Sequence, residues 1–209
     1  MTQNGKIFLV EGLDLAGKTS ACKNLVARLK PRPEYQRNAF AEKNTLYLAA
    51  DDLRRADALD GRHLGYAYLA AAALDVVLFR QPEGARVQES TITLRSLAHY
   101  RARGDHEMAD GFARLMDQAN FPKISGAVVL TASLEVRRAR LEMRRQEAPD
   151  EIAPDDLAVI STPDLFLRME EILIGETVQR FGATIIDTTI LDKEQVAAAL
   201  TTAFITAFL

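Results

Sequence analysis

At 209 residues, with 48% apolar residues and a formal charge of -3, the chain has the size and composition of an α/β protein with a sizeable core. That balance argues against a sequence-independent nucleic-acid binder, which needs a strongly basic face. The single cysteine, Cys22, excludes an internal disulfide, and no stretch approaches a membrane span. Lys6-Ile7-Phe8-Leu9-Val10 then reads as a short strand buried on both faces. The preceding Met1 to Gly5 lacks a charged region followed by an apolar one, so a cytoplasmic protein without a leader is expected.

After that strand comes Gly12-Leu13-Asp14-Leu15-Ala16-Gly17-Lys18-Thr19, a complete G-x-x-x-x-G-K-[ST] loop followed by Ser20. Such a loop curls successive N–H groups around phosphates and aims a helix N-terminus at them. Lys18 is expected to reach the β- and γ-phosphates of ATP, and the Thr19 hydroxyl to hold Mg²⁺. Cys22, Leu25, Val26 and Leu29 recur at helical spacing, and Pro31 stops the helix. Cys22 on that stripe reads as a buried thiol, not a nucleophile.

A second strand is expected near Ala39-Phe40-Ala41-Glu42, then a long helix with Ala67, Ala70, Leu74, Val77 and Leu78 on one face. Pro82-Glu83-Gly84 breaks the chain, and Ala85 to Gln88 forms a third strand ending at Glu89. Helices are expected over Ile92 to Arg101 and Asp105 to Ala119, then strands at Ala127 to Leu130 and Thr184 to Ile186. Between those strands lies a basic helix, Ser133 to Gln146, with Arg137, Arg138, Arg140, Arg144 and Arg145. Gln146 to Asp156 follows without apolar periodicity and holds five carboxylates; together with the basic helix end it reads as a mobile lid over about 137–160. Thr162 as cap and Pro163 in the first turn restart a helix, and a last helix begins near Lys193. The three histidines, His63, His99 and His106, lack metal-ligand spacing and read as exposed or packed side chains.

The run Phe8 to Thr19, with its Glu-Gly-x-Asp lead-in, resembles the thymidylate kinase-like branch of the P-loop nucleoside and nucleotide kinases. The resemblance implies a three-layer α/β fold, a five-stranded parallel sheet flanked by helices, with ATP as donor, Mg²⁺ and a homodimer. It also implies that Asp14 faces the acceptor sugar and that Glu89 lies near the metal. Ser90 stands where the family has an acceptor-gripping arginine, and Arg95 lies where it could replace that charge. Glu42 resembles the deoxyribonucleoside-kinase glutamate that takes the acceptor proton, and so enters as a general base. Leu15 cannot supply the arginine that some members carry in the loop. The resemblance therefore points to Arg140, Arg144 or Arg145 for the migrating phosphoryl, with Arg137 and Thr188 on the adenine side.

These residues imply an ATP-dependent kinase acting on a nucleoside, a nucleoside monophosphate or a similar hydroxyl acceptor, with no nucleic-acid or membrane partner. A nucleotide-switched GTPase would show Asn-Lys-x-Asp after a strand, and the chain has none. A binding protein that kept the loop and lost catalysis is the other class, which Ser90 permits and Lys18, Thr19 and Glu89 oppose.

Overall fold

The computed structural model describes residues 5–208, so stretch 1–4, read above as a leaderless start, lies outside the described residues. Strand β1 (Lys6–Glu11) leads through the glycine loop into α1 (Lys18–Arg28), and β2 (Glu34–Arg37) follows. Helices α2 (Thr45–Arg55) and α3 (Gly61–Leu78) precede β3 (Ala85–Glu89), and α4 (Ile92–Ala102) and α5 (His106–Met116) precede β4 (Ile124–Thr131). Helix α6 (Leu134–Glu147), a 3₁₀ turn (Pro149–Glu151), α7 (Pro154–Ser161) and α8 (Pro163–Phe181) lead to β5 (Thr184–Asp187) and α9 (Lys193–Phe208).

The five strands pair in parallel in the order β2-β3-β1-β4-β5, with helices on both faces, as expected. Alternation along β1 sends Phe8 and Val10 toward α1 and α9, while Leu9 joins the core under α3, α4, α5 and α8. Burying side chains of this size contributes about 1.5–3 kcal/mol each. Phe8 also meets Phe204 edge-on at 5.3 Å, which fixes α9 against the sheet. Cys22 is buried on this side, and burial pushes its thiol well above the usual range. No helix among the described residues is long and apolar enough to cross a membrane.

The second strand lies five residues before its expected start. β2 is the polar run Glu34–Arg37, which tolerates polarity because it is the sheet edge and pairs with β3 alone. The apolar Ala39, Phe40 and Ala41 are buried as loop instead. Their backbone is satisfied by a carboxylate: Phe40 N and Ala41 N donate to buried Asp75 of α3 at 2.7 and 2.9 Å. Helix α2 had no counterpart in the sequence reading: Leu46, Ala50 and Leu53 recur at helical spacing, yet of these just Ala50 is buried. Its start is capped by Asn44, which accepts from Tyr47 N at 3.0 Å.

The acidic stretch after α6 is helical rather than irregular. Asp156 caps α7 by accepting from Ala153 N at 3.0 Å, and Val159 is fully buried, so α7 is anchored in the core. Thr162 precedes α8 as expected but makes no side-chain cap hydrogen bond; Pro163 opens the helix.

Candidate active site

The strands' carboxyl ends deliver Arg37, Glu89, the glycine loop and the Thr131–Ala132 turn to one edge of the sheet, where a cleft of ≈ 670 Å³ opens. Leu13, Asp14, Leu15, Gly17, Lys18, Thr19 and Ser20 line it, while Gly12 and Ala16 lie buried behind. Gly12 has φ +141°, and a Cβ there would sit 2.2 Å from Leu130 O, so no larger residue fits. Gly17 caps α1 in the left-handed region and leaves the helix N-terminus open toward the cleft. Leu15, at φ 63°, holds a strained conformation that a non-glycine residue rarely adopts.

Lys18 folds back over the loop and donates to Leu13 O at 2.8 Å. Burial lowers its pKa, and Arg95 adds to that, so phosphate charge would relieve an electrostatic cost already present. The Thr19 hydroxyl donates to Glu89 Oε1 at 2.7 Å, joining residues separated by 70 positions. Tyr35 OH donates to the other carboxylate oxygen, and Arg37 Nε lies 3.4 Å from Glu89. A hydroxyl and a carboxylate are hard oxygen donors that fit Mg²⁺. No cluster of three or more His, Cys, Asp or Glu side chains that could hold a metal ion occurs among the described residues.

The basic helix divides its arginines. Arg137 is fully buried: it donates to Ala132 O at 2.8 Å and to Asp14 O, pairs with Glu170, and lies over Phe166 at 5.0 Å. It is therefore unavailable to stack on adenine and instead ties the glycine loop to α6 and α8. Leaving either buried charge unpaired would cost about 3–5 kcal/mol. Arg140 Nη1 donates to Leu15 O at 2.8 Å and to Thr188 Oγ1 at 3.1 Å. Thr188, itself buried, donates to Thr131 O at 2.9 Å and braces the same loop. Arg144 reaches the cleft and pairs with Asp156 at 3.0 Å.

Across the cleft, Arg95 donates to Asp14 Oδ2 at 2.7 Å. Burial alone would raise the Asp14 pKa, but Arg95 and then Lys18 overcome it and hold the carboxyl well below its usual range. Glu11, behind the loop, is fully buried; burial raises its pKa although it accepts from Thr91 N at 2.6 Å. Glu42 does not join the site. The shift of β2 leaves it exposed in the loop before α2, outside the residues lining the cleft.

Sequence reasoning missed Tyr47, Asp51 and Arg54 on α2, Tyr68 on α3 and His99 on α4, all of which line the cleft. Asp51 accepts from Arg54 at 2.8 Å and from Arg55 at 2.9 Å, and Arg54 Nη1 donates to Asp155 of α7 at 2.8 Å. The i, i+4 repeat of Tyr47, Asp51 and Arg55 was the available signal for the α2 face.

No protein-family model and no curated protein sequence matches the chain. Among solved structures, thymidylate kinase from Candida albicans is similar over 97% of this chain and 92% of its own, with a TM-score of 0.68 and 15% sequence identity. A likeness at that identity speaks for the fold. The chain has the α/β architecture of a thymidylate kinase, with a five-stranded parallel sheet and a P-loop at the end of β1.

Proposed function

We propose that this protein transfers the γ-phosphoryl of Mg-ATP to a hydroxyl of a small acceptor, a nucleoside or a related alcohol. The observation that carries the reading is the pairing of Thr19 with Glu89 at 2.7 Å beside Lys18, on the floor of a cleft with a separate polar wall opposite. Loop N–H groups, the α1 N-terminus and Lys18 would hold the phosphates, while Thr19 and Glu89 would hold Mg²⁺. Mg²⁺, when bound, neutralises charge on the β- and γ-phosphate oxygens. Arg144 would exchange Asp156 for the migrating phosphoryl, and Arg140 fixes the loop that presents it.

The bond from the acceptor oxygen to the γ-phosphorus forms as the bond to the β,γ-bridging oxygen breaks, and ADP leaves. Asp14 orients the acceptor hydroxyl and takes its proton late, once the new bond has made that proton acidic; a strong base is not needed for such a loose transition state. A hydroxyl acceptor is favoured over a phosphate because the guanidiniums of Arg95 and Arg54, on the wall facing the loop, are already paired with carboxylates. Arg95 is bound to Asp14, and Arg54 to Asp51 and Asp155. A dianion would have to break these pairs, whereas a neutral hydroxyl leaves them intact.

The lid of this reading is the end of α6 with α7, clasped to α2 by Arg54–Asp155. We place the enzyme in the cytoplasm as a homodimer. On α3, Asp75 is the sole charged residue between Leu64 and Phe79 and is buried, while Tyr66 and Val77 are 51% and 65% exposed. A water-facing helix without charge over four turns suits a second copy. Light scattering on Val77→Lys, compared with the unaltered protein, tests that surface. The function itself is tested with a panel of nucleosides, nucleoside monophosphates and small alcohols plus Mg-ATP, read by ADP release above the acceptor-free rate. Turnover with monophosphates alone would overturn the hydroxyl reading, and no turnover with any acceptor would overturn the kinase.

A further inference from the structure

His99 is held in one chemical state by its neighbours. It lies on the cleft face of α4, one turn beyond Arg95, and lines the wall opposite the glycine loop. Arg103 Nε donates to His99 Nε2 at 2.9 Å. A guanidinium can only donate, so Nε2 must carry the lone pair and the ring proton must sit on Nδ1. Protonating the ring would set two N–H groups against each other, so this hydrogen bond and an imidazolium exclude one another. Burial, and then the positive charge of Arg103, Arg95 and Arg54, lowers the pKa of His99 to about 4 and agrees with that geometry.

The ring is also fixed in orientation. It meets Tyr100 edge-on at 4.9 Å, and Tyr100 is anchored by donating to Gly61 O at 2.9 Å and stacking on Phe112. Among the described residues nothing accepts from Nδ1, so the cleft wall carries a rigid, uncharged donor without a partner. Of the charges nearby, Arg95 and Arg54 are matched by Asp14 and Asp51, while Arg103, which also lines the cleft, is turned to His99 Nε2. A neutral donor in such a place discriminates by pairing: a ligand presenting a carbonyl oxygen or ring nitrogen satisfies it, and one presenting an amino group leaves two donors unpaired.

We propose that His99 is a specificity residue of the acceptor site, its Nδ1–H donating to an uncharged oxygen or nitrogen of the bound acceptor. The proposal rests on the acceptor reading above and adds to it the kind of atom the acceptor must present. Two amide substitutions separate the ring's two edges. His99→Asn keeps a donor near the Nδ1 position and loses the partner of Arg103; His99→Gln keeps a partner for Arg103 and loses the donor. Binding of thymidine, deoxycytidine and their monophosphates is measured by calorimetry in the presence of Mg²⁺ and a non-hydrolysable ATP analogue. Nitrogen NMR of the whole chain reads the tautomer.

His99→Gln and His99→Ala should weaken the bound probe about three- to tenfold, the span of one neutral hydrogen bond. His99→Asn should restore most of that affinity, and affinity for the ATP analogue should not change in any variant. A proton on Nε2 in the NMR spectrum, or probe binding indifferent to His99→Gln, would overturn the assignment alone. Failure of all four probes to bind, with turnover of another acceptor retained, would overturn the assignment alone; failure to bind together with no turnover of any acceptor would remove the acceptor reading as well.

Discussion

The glycine-loop side of the cleft, the donor side in the proposed reaction, is built from one short stretch of chain, Gly12 to Ser20, whereas the proposed acceptor side draws on α2, α3, α4 and α7. On the donor side most contacts to a ligand would come from backbone N–H groups, whose placement rests on glycine at two positions and on braces from Arg137, Arg140 and Thr188. The acceptor side consists of long side chains, Arg54, Arg95, Asp51 and Asp155, whose positions depend on how four helices pack. The groups that face the cleft from the glycine loop are therefore written in one short stretch, while those of the opposite wall are assembled by tertiary arrangement. The donor half should lose function all at once when its one cation is removed, and the acceptor half should lose it in steps.

The largest effect is expected from Lys18→Ala. Phosphoryl transfer, followed by ADP release, should fall about 10³-fold or more while urea unfolding stays cooperative, because the ammonium serves ligand charge. Near-normal turnover would mean that the two halves do not differ in this way. On the acceptor side, Asp14→Asn should lower kcat about 10²-fold with little change in ATP affinity, since it removes the group that orients the hydroxyl and frees Arg95. A gain in the use of monophosphates by this variant would show that the freed guanidinium can serve a dianion.

A pH series sharpens the comparison further. The folded-state pKa of His99 is lowered to about 4, so between that value and its ordinary value near 6.5 the unfolded chain binds a proton that the folded chain refuses. Stability from this group is complete above pH 6.5 and is lost as pH falls toward 4, by about 1–3 kcal/mol after allowance for partial exposure. Chemical denaturation of the native protein and His99→Asn at pH 7 and pH 5 should show the difference between them change by that amount. A constant difference would mean that the ring takes up a proton in the fold as readily as in the unfolded chain.

A smaller effect is expected at the clasp between α2 and α7. Asp155→Asn removes a partly exposed ion pair worth up to about 1 kcal/mol, so hydrogen exchange over residues 146–161 should accelerate about two- to fivefold without nucleotide. Added salt should produce the same acceleration in the native protein and none in the variant. The smallest effect is expected from Glu42→Gln, because the side chain is exposed and outside the cleft: kcat and KM should stay within about twofold. A large loss there would restore the general base that the fold removes.

Much of the chain was legible before folding because its signals are local. The alternation of β1, the glycine loop, the stripe of Cys22, Leu25 and Val26, and the apolar run of β4 each state their structure within a few residues. Where the reading went astray, the deciding partner was remote. Ala39-Phe40-Ala41 looks like a strand, yet its N–H groups are taken by Asp75, about 35 positions away, and the sheet edge goes to polar Glu34–Arg37. Arg137 looks like a nucleotide ligand from its place on a basic helix, yet Glu170 and Phe166 claim it for the core.

Local sequence was enough to place a glycine-rich loop between the first strand and first helix of a parallel α/β sheet, because the glycines and the flanking apolar runs lie within a few residues of one another. Tertiary structure alone decided which charges are spent on holding the fold and which face the cleft. Arg137 and Arg140 brace the loop, Arg95 is bound to Asp14, Glu42 is left in solvent, and His99 is fixed as a neutral donor by Arg103. The physical reason is that a side chain's charge, tautomer and availability are set by what lies within a few ångströms of it. Those neighbours are brought together by packing between elements far apart in the chain.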